Sequence, residues 1–142
     1  MANYCCAVRT NYFHVKDPDA FKTFMSKVVA SEDTICVWEG KDNTGETVFC
    51  FGCYGSILGV PPDDDDYGDY DFGEFVNGLS RLVADNDAII ILESGNEKLR
   101  YVTGYAIIIT SKGNDYLDIA EIATIHAGEM LHNPNWRTKV DY

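Results

Sequence analysis

The chain has 142 residues and a formal net charge of −12, from 23 acidic and 11 basic residues, with 46% of its residues apolar and 13% aromatic. That length suits one domain with a core of its own, and the hydrophobicity argues against disorder, which needs high charge together with low hydrophobicity. So acidic a balance speaks against direct nucleic-acid binding, which requires Lys and Arg gathered on one face, and points to cations, to basic proteins or to no partner at all.

In chain order, "YCCAVRTNYFHV" over residues 4–15 reads as a strand rich in aromatic and β-branched residues. "KDPDAF" then signals a helix, with Asp17 as N-cap and Pro18 at the first helical position. Phe21, Phe24, Met25, Val28 and Val29 follow at helical spacing. "TICVWEGKDNTGETVFCFGCYG" reads as a hairpin around Asn43 and Gly45. An acidic loop at 61–74 opens with Pro61 and Pro62. A second helix carries Phe72, Phe75, Val76, Leu79, Leu82 and Val83 on one side.

"AIIILESGNEKLRYVTGYAIIIT" reads as a second hairpin turning at Ser94 to Glu97, and a third helix is expected from Asp115 to just before Asn133 and Pro134. Trp136 is the expected anchor of a polar tail. The order is βαββαββα. It predicts a single α+β domain over 1–142, an antiparallel sheet of about five strands with three helices covering one face.

No apolar run is long enough for a signal peptide or a membrane span, so a soluble cytoplasmic protein is expected. Five cysteines, Cys5, Cys6, Cys36, Cys50 and Cys53, are then expected as thiols rather than bridges. "CFGC" has redox or zinc spacing. On a strand, however, residues three apart point to opposite faces, so Cys50 and Cys53 read as small buried hydrophobes. No phosphate-binding, dinucleotide, metalloprotease or nucleophile-elbow motif is present. His14, His126 and His132 are scattered and read as hydrogen-bonded or exposed imidazoles. No enzyme and no cofactor are expected.

The strongest signal is "VPPDDDDYGDYDFGEF", with six aspartates and one glutamate between Asp63 and Glu74. Three readings compete. One is a cation site: Asp63, Asp65, Asp71 and Glu74 fit part of a calcium-loop pattern. Tyr67 stands where an oxygen ligand belongs, though, and two prolines block the entering helix. Another is plain solubility. The third is a contact surface for a basic groove. In that reading Asp63, Asp64, Asp65, Asp66, Asp69, Asp71 and Glu74 meet Lys and Arg, and Tyr67 and Tyr70 stack on guanidinium groups. Asp85, Asp87, Glu93, Glu97, Asp115, Asp118 and Glu121 would extend that stripe if they share its face.

The segments "YCCAVRTNYFHVKDPDAF", "FGCYG", "AIIILESGNEKLRYVTGYAIIITS" and "NPNWRTKVDY" resemble a family of small acidic proteins carried on conjugative elements, plasmids and phages of gut bacteria. The resemblance spans nearly the whole chain and implies an anti-CRISPR- or antirestriction-like inhibitor, without assigning residues. Combined with the charge, it leads to an expected inhibitor of a defence nuclease, foremost a type II RNA-guided nuclease with a basic heteroduplex channel. A cation-binding module and an acidic immunity- or antitoxin-like interaction protein stand as alternatives.

Overall fold

The computed structural model describes residues 4–62 and 69–139. Eleven elements follow one another: β1 (Cys5–Thr10), α1 (Pro18–Met25), β2 (Val29–Ala30), β3 (Cys36–Lys41), β4 (Thr47–Tyr54), β5 (Ile57–Gly59), α2 (Phe72–Leu82), β6 (Ile89–Glu97), β7 (Tyr101–Thr110), β8 (Gly113–Asp118) and α3 (Ile119–Met130). Six strands form one sheet in the order β3-β4-β1-β6-β7-β8, and β2 pairs with β5 in a small second sheet. Every pairing is antiparallel. The α+β class, the three helices and the antiparallel pairing therefore agree with expectation, while the count of five strands is too low.

Alternation sorts each strand onto two faces. Val8 on β1, Phe49, Phe51 and Cys53 on β4, Ile89 and Ile91 on β6, and Ile107 and Ile109 on β7 share a core with Phe21 and Met25 of α1 and Phe75, Val76 and Leu79 of α2. Asp17 caps α1 by accepting from the Asp19 and Ala20 amides, with Pro18 directly after it, as the sequence predicts. Asp71 caps α2 by accepting from the Glu74 amide. The two helices meet at Gly78, where a Cβ would lie 2.3 Å from the Phe24 ring. Phe24 in turn stacks on Phe75. A side chain at 78 would push the helices apart.

Three expectations need correction. The second hairpin turns later than expected, over Lys98–Arg100, because the pairing of β6 with β7 continues to Glu97 opposite Tyr101. The third helix does not begin at Asp115. Residues Gly113–Asp118 pair with β7 as its outer neighbour, and α3 begins at Ile119 with Asp118 as N-cap. The backbone groups along β7 need a partner, and that tertiary demand overrides the local helix-start signal.

Nor do all three helices cover one face. Gly104 on β7 is offset by an odd number of residues from the core positions Ile107 and Ile109, and its missing Cβ would meet Ile119 Cγ2 at 3.2 Å. The start of α3 thus lies over the opposite face. That helix buries only Gly128 and leaves Ile119, Ile122, Ile125 and Met130 exposed. Trp136 is half-buried, and its Cβ lies 3.8 Å from where a Cβ on Gly128 would stand, so the tail folds back on α3. No helix among the described residues is long and apolar enough to cross a membrane.

Candidate functional site

The acidic segment is closed at its base. Val60 and Asp71 form an antiparallel bridge in which each amide donates to the other's carbonyl, at 3.2 and 2.8 Å. Asp63, Asp64, Asp65, Asp66 and Tyr67 lie outside the described residues. Asp69 and Tyr70 are exposed just before the bridge. Asp71 spends Oδ1 on the cap of α2, and Glu74 pairs with Arg81 at 2.5 Å about two turns along the helix. Two members of the alternative cation set are therefore already engaged.

The first turn of α2 and strand β8 line a shallow groove that includes Phe72, Gly73, Val76, Ile107, Asp115 and Tyr116. Asp115, expected in a helix, thus stands on an edge strand beside the C-terminal end of the acidic segment. Others of the expected stripe are placed elsewhere. Glu93 is only 7% exposed and accepts from the Tyr4 hydroxyl at 3.2 Å, so it cannot join an outer surface. Burial, and next the hydrogen bond to Glu93, push the Tyr105 phenol well above its usual range. Asp118 caps α3. Asp85 pairs with Lys16 at 3.2 Å, and that contact lowers its pKa.

The cysteines behave as expected of thiols, with none in a disulfide. Cys50 and Cys53 are both buried on β4. Cys53 belongs to the core, whereas Cys50 accepts from the Arg9 guanidinium at 3.6 Å on the other face. Burial pushes the Cys53 thiol up to about 11.

One constellation was not anticipated. His14 lies between two isolated bridges, Phe13 with Phe49 and Val15 with Val83, rather than inside a strand. Its ring is held between two carboxylates: Nδ1 is 2.7 Å from Asp87 Oδ2 and Nε2 is 2.7 Å from Asp42 Oδ2. Glu46 Oε2 lies 3.6 Å from the same Nε2.

Each partner is fixed by its own local structure. Asp42 opens the β3–β4 turn, and its Oδ1 accepts from the Thr44 amide, the Thr44 hydroxyl and the Glu46 amide. Asp87 sits in the connection from α2 to β6. Its Oδ2 also accepts from the His14 amide at 2.7 Å, and its Oδ1 accepts from the Ala88 amide. The hydrogen bonds to Asp42 and then to Asp87 raise the His14 pKa against a smaller opposing effect of burial. The bond to His14 is the main reason Asp42 sits well below the usual carboxylate range. At Asp87 burial acts upward, but the amide and ring of His14 outweigh it and lower the pKa.

The sequence holds Asp42, Glu46 and Asp87 in plain view. Only the strand order shows that the β3–β4 turn, the β1–α1 connection and the α2–β6 connection meet at one end of the sheet.

No family model matches the chain, and no curated protein and no solved structure matches it.

Proposed function

We propose that the protein is a non-enzymatic inhibitor that presents an acidic surface to the nucleic-acid channel of a bacterial defence nuclease, with a type II RNA-guided nuclease as the leading target. The observation that supports this most is the closure of the acidic segment by the Val60–Asp71 bridge. Val60 and Asp71, on either side of residues 61–70, are paired with each other, and Asp71 leads directly into α2. Asp69, Asp71, Glu74 and Asp115 are exposed around that point. Asp71, Glu74 and Asp115 are held by secondary structure and lose little conformational freedom on binding, which leaves more of the charge attraction for affinity. A channel built for a heteroduplex backbone supplies the opposing Lys and Arg.

The test is inhibition of purified type II nuclease–guide complex, with binding followed from low to near-molar salt. Affinity is expected to fall as salt rises, because exposed charges are screened over ~8–10 Å at ordinary ionic strength. Changing Asp63, Asp64, Asp65 and Asp66 together to Asn should weaken binding by about fourfold or more, at roughly 0.2–1 kcal/mol for each exposed pair lost. Competing duplex DNA should release the complex. Binding indifferent to salt, or full inhibition by the four-Asn variant, would exclude the acidic segment as the contact. Absence of binding to any such complex would remove the target class.

A further inference from the structure

We propose that His14, Asp42 and Glu46 form a binding site for one divalent transition-metal ion, with Asp87 as the residue that orients the imidazole. The site lies at the sheet end where the β1–α1 connection meets the β3–β4 turn, and it owes nothing to the acidic segment at 61–74.

The distances come close to those of a metal site, which requires the Nε2–Asp42 hydrogen bond to give up its proton and open by a few tenths of an ångström. At metal–ligand bonds of ~2.1 Å, two ligands at right angles stand ~3.0 Å apart and two at a tetrahedral angle ~3.4 Å apart. Nε2 of His14 lies 2.7 Å from Asp42 Oδ2 and 3.6 Å from Glu46 Oε2. One ligand atom from each of the three residues falls within a sphere of mutual separations under 4.8 Å.

The supporting contacts also have the required sense. A ligating imidazole needs its second nitrogen to donate to a carboxylate or carbonyl, which fixes the tautomer and raises the basicity of the ligating nitrogen. Asp87 accepts at 2.7 Å from Nδ1, and its position is secured by the amides of His14 and Ala88. Nε2 is thereby the nitrogen turned toward Asp42 and Glu46. On Asp42, three donors occupy Oδ1 and leave Oδ2 directed at the imidazole. Glu46 has a side chain 71% exposed, so that side of the site is open to water, which would complete the coordination.

The donor set selects the ion. An imidazole nitrogen with two carboxylates suits Zn²⁺, Mn²⁺ or Fe²⁺ better than Ca²⁺, which takes oxygen ligands only. Two negative charges balance the dication.

Titration calorimetry of the metal-free protein with Zn²⁺ should give one site per chain. Glu46→Gln, on the exposed side, should weaken it without altering the fold. Asp42→Asn and His14→Ala should abolish it, and Asp87→Asn should weaken it by about 10- to 100-fold. The thermal midpoint of the native protein should rise with Zn²⁺, while that of His14→Ala should not.

Because the chain carries five cysteines, Co²⁺ serves as a second probe. Its spectrum should lack sulfur-to-metal charge transfer. A thiolate band, unchanged affinity in both His14→Ala and Glu46→Gln, or no saturable binding of Zn²⁺, Mn²⁺ or Co²⁺ would each overturn the proposal.

Discussion

At the scale of single residues, the positions that decide the packing are those with no room to change. Gly78 is the clearest. Its α carbon sits against the Phe24 ring, and an added methyl would fall 2.3 Å from ring carbons that are themselves stacked on Phe75. Gly78→Ala should therefore destabilise the fold by about 1–3 kcal/mol, the usual cost of overpacking, despite the better helix propensity of alanine. Urea unfolding measures it. A gain in stability would show that α1 moves aside without loss.

The cysteines give a second check at this scale. Cys36 is exposed, whereas Cys53 is buried with its thiol raised to about 11. Only the thiolate reacts quickly with alkylating agents. At mildly alkaline pH Cys36 should label rapidly and Cys53 only after denaturation, as mass mapping of the modified peptides would report.

Single residues were also where the sequence was least informative about the site. His14 has an ordinary local context. Its role arises from Asp42 and Asp87, 28 and 73 positions away along the chain. Glu93 misleads in the other direction. It stands in an alternating strand next to a turn-like "SGN", yet the alternation places it on the same face as Ile89 and Ile91, where the Tyr4 hydroxyl receives it. The period-2 pattern contained that information, and its charge obscured it.

At the scale of elements, α1 and α2 were legible because their signals agree. Each has an aspartate cap, an apolar stripe and a core to receive it. Strand β8 was not legible, because "GNDYLD" carries helix-start residues and little β propensity. What makes it a strand is the open edge of β7. The short strands β2 and β5 escaped for a related reason, since two or three residues carry no readable period.

Helix α3 differs from the others. It is rich in apolar residues all round but leaves Ile122 and Ile125 about half exposed. Changing both to Lys should therefore shift monomer stability by no more than about 0.5 kcal/mol each, the range for surface substitutions. If instead the melting temperature drops and becomes dependent on protein concentration only in the unsubstituted protein, those isoleucines are buried against another molecule.

At the scale of the whole molecule, the charge and the fold answer separate questions. The α+β class and antiparallel pairing followed from hydrophobic period and turn residues. The net charge says nothing about them and bears only on partners. The structure also distributes that charge. Asp71, Asp118, Asp42 and Asp87 cap helices or brace turns, and Glu74 and Asp85 hold cations of the same chain. Much of the acidity is thus structural, while Asp69 and Asp115 stay exposed near the start of α2. This sharpens the inhibition test above. A reversal of the Asp63–Asp66 charges should abolish inhibition, whereas Asp17→Ala, at the cap of α1, should cost stability of about 0.5–2 kcal/mol and leave inhibition intact.

The position of β1 has a consequence for synthesis. It leaves the ribosome before the other described strands, yet it is flanked in the finished sheet by β4 on one side and β6 on the other. One flank finds its neighbour once residues 52–54 have left the exit tunnel, while the other waits until residues 91–96 have done so. During that interval a half-built three-stranded ribbon has a bare hydrogen-bonding margin, open to mispairing with other nascent copies. Slowing translation between β5 and β6 should lengthen that exposure and lower the soluble yield.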